Sequence, residues 1–112
     1  MSKNKESEEQ NCVYQTQFTP HLDTRAALEY GDEIKVLCEN RGEPSIAPTR
    51  LVNDLKYKLK YYTELDYILP AGSPAVIAAA VCIAAKKTGG KVSLLLWDKN
   101  NKRYYPVDLD LK

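Results

Sequence analysis

This 112-residue chain has one histidine, one tryptophan, one methionine, one phenylalanine and three cysteines, and none of them stands in a spacing that supports chemistry. His21 follows Pro20 with no serine or cysteine in a nucleophile setting, so no catalytic triad can be read. His21, Cys12, Cys38 and Cys82 lack metal-ligand spacing and form no CxxC pair, so no metal and no redox motif is expected. The glycine patterns of dinucleotide and phosphate-binding loops are missing, and no cofactor is expected. Together these absences argue against an enzyme. The longest apolar run, Ala75 to Ala85, is about half of the roughly 20 residues a membrane span requires. Residues 1–11, MSKNKESEEQN, contain no apolar segment, so no signal peptide is expected. Charge of one sign is also lacking: 16 Lys plus Arg against 15 Asp plus Glu leave a net +1. No whole-protein field therefore draws the chain to nucleic acid or an anionic membrane, and such binding would need a local patch. An odd number of thiols, two of them inside apolar elements, suits a reducing, cytoplasmic compartment.

What is present is a readable order of elements. Residues 1–11 are expected to be a disordered tail, and 12–112 one α/β domain. Leu65 to Leu69 is a short apolar run, Gly72 and Ser73 turn the chain, Pro74 opens a helix, and Gly89 and Gly90 close it before a strand over Lys91 to Trp97. This is a βαβ unit, hence two parallel strands. Upstream, Ile34, Val36 and Cys38 alternate through a strand expected over 33–40. Pro48 suits the first position of a helix running to about Tyr62, with Leu51, Leu55, Leu59 and Tyr62 on the stripe that faces the sheet. Asp23 could cap a short helical turn through Glu29. After the turn-rich DKNNK, Arg103 to Leu109 alternates and should return antiparallel, with Pro106 placing it at an edge. The expected fold is a small single-sheet α/β domain with about three parallel strands, two right-handed crossover helices and an antiparallel edge strand at the carboxyl end. The alternating stretch Cys12 to Phe18 is a further, half-buried strand whose place in the sheet the sequence leaves open.

Three surfaces are candidates for function. The helix after Ser73, PAVIAAAVCIAA, is apolar on every face, and Ala78, Ala79, Ala80 and Cys82 could accept another helix, as in a two-fold dimer. Alternatively, alanine simply tolerates exposure. Ligands of open α/β sheets bind outside the carboxyl ends of the strands, where Asn40, Arg41, Gly42 and Ser45, then Gly72 and Ser73, then Asp98 are expected to converge as an anion site. Against this, Ser73 is more simply the cap of its helix, and Pro74 removes a donor. Finally, Lys56, Tyr57, Lys60 and Tyr61, with Arg50, interleave basic and aromatic residues as nucleic-acid surfaces do, although lysines on an outer helix face normally serve only to keep it wet.

The carboxyl half, with DYILPAGSPAVIAAAVCIAA leading into KVSLLLWD and RYYPV over about Glu64 to Val107, resembles small uncharacterised phage and mobile-element proteins. The resemblance implies a small accessory protein acting inside a host bacterium by binding a host or viral macromolecule, and it transfers no functional residues. The expected function is thus binding: self-association through the Ala-rich helix together with a macromolecular partner. An anionic small molecule at the strand ends is the alternative, and nucleic acid on the tyrosine-bearing helix comes third.

Overall fold

A computed structural model of the chain describes residues 11–39 and 48–112. The elements run β1 (Cys12–Gln17), a 3₁₀ helix (Arg25–Glu29), β2 (Glu33–Cys38), α1 (Pro48–Lys58), β3 (Tyr67–Leu69), α2 (Pro74–Lys87), β4 (Lys91–Asp98) and β5 (Arg103–Asp110). They form one five-stranded sheet in the order β2-β1-β3-β4-β5. β1 pairs in parallel with both β2 and β3, β3 pairs in parallel with β4, and β5 closes the edge antiparallel to β4 with Leu95 opposite Pro106. An edge position tolerates the donor that proline lacks.

The parallel set therefore has four strands, and the amino-terminal strand is central. Val13 through Gln17 are all buried, although the alternation Tyr14, Gln15, Thr16, Gln17 reads as a strand with one wet face. Its polar side chains are buried because they are bonded. Thr16 Oγ1 donates to the Ala71 carbonyl at 2.6 Å and accepts from the Ala71 amide at 2.8 Å. Gln15 Nε2 donates to the Gln17 carbonyl at 2.9 Å. Satisfied in this way, the polar groups avoid the cost of burial without partners.

The order of crossings decides which face each helix takes. β1 to β2 steps one way, whereas β2 to β3 and β3 to β4 step the other, so right-handed connections place the 3₁₀ helix on one face and both α-helices on the opposite face. Two cores follow from this. Tyr14, Leu37 and Ile68 meet Leu55, Leu59 and Tyr62 of the α1 segment and Ala80 and Ala84 of α2. On the other face Val13, Leu69, Leu95 and Tyr104 surround Ala27.

Several boundaries differ from those expected, for local reasons. α1 ends at Lys58, but its last turn tightens rather than stops: the Leu59 amide donates to Leu55 O, Lys60 to Tyr57 O and Tyr62 to Leu59 O. Leu59 and Tyr62 thereby stay on the buried stripe with Leu55. β3 begins at Tyr67 because Thr63 and Asp66 close a turn before it, with the Asp66 amide on Thr63 O and the Thr63 amide on Asp66 Oδ2. α2 buries Val76, Ala80 and Ala84, one residue every fourth, and keeps Ala78 and Cys82 exposed. The expected strand end at Asn40 and the candidate residues Arg41, Gly42 and Ser45 lie outside the described residues, as does the expected tail apart from Asn11.

Candidate functional site

The carboxyl ends of β1 and β3 flank the point where the chain's crossings reverse direction, the usual ligand position in an open α/β sheet. Here the protein's own side chains fill it. Gly72 sits at φ +86, and a Cβ there would lie 2.1 Å from Gln17 Oε1. That oxygen accepts from the Ser73 amide at 2.5 Å, and Ser73 Oγ accepts from the Ala75 amide at 3.2 Å. Pro74 has no N–H to offer. The amide of the cap residue Ser73 and that of Ala75 in the first turn of α2 are thus engaged by Gln17 and Ser73. These contacts give Gly72 and Ser73 structural roles: Gly72 is glycine because Gln17 passes close to its backbone in a left-handed conformation, and Ser73 is the helix cap. Asp98 is engaged within its own turn. Its carboxylate accepts from the Asn100 and Asn101 amides and from Asn101 Nδ2, which lowers its pKa and closes the β4–β5 turn.

Among the described residues, the opposite end of the sheet carries cavities. A cavity of about 490 Å³ lies at the amino ends of β1 and β3, among Cys12, Tyr14, Lys35, Tyr61, Leu65 and Asp66. Asp66, buried, accepts from the Cys12 amide at 2.8 Å and from the Thr63 amide at 2.9 Å. Burial raises its pKa, and those amides and the charge of Lys35 act in the opposite direction. Burial likewise raises the Cys12 thiol, so that cysteine is held away from its reactive form. The Tyr62 ring packs edge-on to Tyr14 at 5.6 Å between centroids, and burial, with the nearby Asp66 charge, pushes its hydroxyl up to about 12. Asp66 acts here as a clasp that satisfies the amide at the start of β1 and that of Thr63 in the turn before β3.

Next to this cavity lies the most distinctive surface. α1 and α2 both return antiparallel to the parallel strands, so they run side by side and their carboxyl-terminal ends emerge together. Lysines occupy the last turn of each. A groove of about 390 Å³ results, lined by Lys56, Lys60, Lys86 and Lys87 with Ile83 between them, and none of its described lining residues is acidic. Two helix carboxyl termini contribute roughly half a negative charge each, so the dipoles offset about one of the four ammonium charges. The remainder is unneutralised by the lining. Lys58 is diverted, since its Nζ pairs with Asp54 at 3.3 Å and donates to the Leu37 carbonyl at 2.9 Å. Arg50 is not gathered in: it lies six residues before Lys56, roughly 9 Å along the helix axis.

Tyr57 and Tyr61 stand on the rim, 65% and 74% exposed. Lys60 Nζ lies 4.0 Å from the centroid of the Tyr57 ring and 5.3 Å from that of Tyr61. Lys87 Nζ donates to the Lys60 carbonyl at 3.1 Å, tying the two helix ends together. Tyr61, the neighbour of Lys60 in the chain, also lines the 490 Å³ cavity. The sequence reading gathered Lys56, Tyr57, Lys60 and Tyr61 here but missed Lys86 and Lys87, which lie 26 and 27 positions beyond Lys60 and join it only through the parallel placement of the helices.

The Ala-rich candidates divide between two environments. Ala80 has no exposed surface and belongs to the domain's own core, which corrects its assignment to an interface. Ala79 is partly buried against that core, whereas Ala78 and Cys82 face outward. No helix among the described residues is long and apolar enough to cross a membrane, and they contain no cluster of three His, Cys, Asp or Glu residues able to hold a metal ion.

No curated protein and no solved structure matches the chain. A family model does, over residues 6–111 and therefore nearly the whole length, with the groove lysines, both rim tyrosines and the Gly72–Gln17 clasp all inside the matched region. The chain belongs to the family described as phage Pam3 gp32-like protein.

Proposed function

We propose that this member of a phage protein family works by binding, and that its binding surface is the lysine groove between the ends of α1 and α2, which takes an extended anionic macromolecule. The observation that carries this reading is the convergence of four lysines from two helices on a groove whose described lining holds no acid. Three cations elsewhere among the described residues are paired with carboxylates, Arg25 with Asp23, Lys58 with Asp54 and Arg103 with Glu29. A net charge of +1 is compatible with this, because association depends on the local field rather than on the sum over the chain.

The direct test is affinity for a polyanion as a function of salt. Heparin or an oligonucleotide should bind, with a logarithmic slope against salt concentration that falls when Lys86 and Lys87 are both replaced by Ala, since fewer counterions are then displaced. Absence of binding at low salt would remove the reading.

A second reading, self-association of the kind the Ala-rich helix suggests, is supported by one specific arrangement. Val92, Leu94 and Leu96 lie opposite Leu109, Val107 and Tyr105, and Leu94 packs against the core beneath the helices. Those β5 residues therefore extend the helix-covered face of the sheet outward. A protomer mass by light scattering at high concentration would argue against this second reading and leave the first untouched.

A further inference from the structure

Taking the lysine groove as the binding surface, we propose that its occupant is a single strand of nucleic acid, with phosphodiesters on the lysines and bases on Tyr57 and Tyr61. The lysines alone would suit any polyanion, so the tyrosines make the distinction. Rings exposed to this extent cover little core, yet two of them stand four residues apart, both beside Lys60 of the lysine groove. Lys60 lies between them, over one face of Tyr57 and within reach of Tyr61, so cation and rings alternate along the rim. A single strand has the same alternation, of backbone charge and base, and it offers unpaired π-faces to such rings. A duplex keeps its bases stacked inside and would engage the lysines only. An acidic protein segment would likewise leave both tyrosines idle.

The cavity beyond Tyr61 strengthens the assignment. At about 490 Å³ it falls in the range of small-molecule sites. Tyr61 forms its wall, and Tyr14 and Leu65 supply further apolar surface, with Lys35 and Glu64 as polar groups at its lining. Lys87, through its hydrogen bond to the Lys60 carbonyl, holds the far side of the groove in register with the rim.

The experiment uses the full chain and fluorescence anisotropy with three probes: a labelled single-stranded oligonucleotide of roughly 12 nucleotides, within the usual footprint of such domains, the duplex of the same sequence, and polyglutamate. The single strand should bind most tightly. Tyr57→Ala and Tyr61→Ala should each weaken it by about 5- to 100-fold while leaving duplex affinity unchanged, and Tyr57→Phe and Tyr61→Phe should restore it, because stacking needs the ring and not the hydroxyl. Both tyrosines are exposed, so a circular dichroism melt should confirm that all four variants fold. If all three probes bind equally and the tyrosine variants change nothing, the groove remains a polyanion site and the single-strand assignment is overturned. If polyglutamate alone binds, the partner is an acidic protein segment and the assignment is again overturned. If no probe binds at low salt, both the assignment and the groove reading fall.

Discussion

The two ends of the parallel sheet are built to opposite plans. At the carboxyl ends, where an open α/β fold ordinarily receives its ligand, Gln17 and Thr16 of the central strand are spent on the protein's own loop: one caps the Ser73 amide and the other clamps Ala71. At the amino ends the loops leave cavities, and the two helices deliver four lysines and two exposed tyrosines. Fold-level analogy alone would have pointed to the first end. The side chains point to the second, which illustrates why function has to be argued from a site rather than a topology.

The contrast can be broken most severely at Gly72. Gly72→Ala forces a Cβ onto Gln17 Oε1 in a left-handed conformation, and chemical denaturation should show a loss of roughly 3 kcal/mol, at the upper end of what backbone strain costs. In a Gln17→Ala background the same substitution should cost less, because the clash is gone and only the conformational penalty remains.

At the other end, Asp66→Ala strands the Cys12 and Thr63 amides and should cost roughly 2 kcal/mol. The pH dependence has a definite sign. Burial raises the Asp66 pKa above its unfolded value, so the folded state holds this proton more tightly, and the contribution of Asp66 to stability falls as pH rises from about 4 through its folded pKa. Asp66→Asn should flatten that part of the stability profile, as read by urea midpoints across the acid range.

A smaller effect separates cap from ligand site. Ser73→Ala should lower stability by roughly 1 kcal/mol through the lost bond to the Ala75 amide, and phosphate or sulfate should protect neither the wild type nor the variant against heating. The smallest effect is expected on the outer face of α2. Ala78 is exposed, so Ala78→Glu should change stability by less than about 0.5 kcal/mol. A drop in assembly size in that variant would instead sharpen the self-association reading.

Much of this architecture was legible in the chain. The βαβ unit from Tyr67 to Asp98, the Pro48 helix with its Leu51, Leu55 and Leu59 stripe, and the edge position of the proline-bearing last strand follow from hydrophobic period and from Gly, Ser and Pro punctuation. The central place of β1 was not, because Gln15, Thr16 and Gln17 look solvent-facing until their loop partners, more than 50 positions away for two of them, are in place. The apparent puzzle of a helix apolar all round eased for a similar reason: α2 lies on the sheet through Val76, Ala80 and Ala84 and beside α1, so little more than its Ala78 and Cys82 row is left outward. As for the site, Lys56, Tyr57, Lys60 and Tyr61 were visible as one local motif. Lys86 and Lys87 read only as a helix end, since nothing local marks two helix termini as neighbours when the order of strands decides it.

The central claim is that ligand engages the helix carboxyl ends at the amino edge of the sheet and not the strand ends. At 12.7 kDa the protein is suited to amide chemical-shift mapping by NMR during titration with a single-stranded oligonucleotide. The account predicts perturbations gathered on Lys56 to Tyr61 and on Ile83 to Lys87, with Ala71 to Ala75 and Asp98 to Asn101 unmoved. Shifts concentrated at Gly72, Ser73 and Asp98 would contradict it.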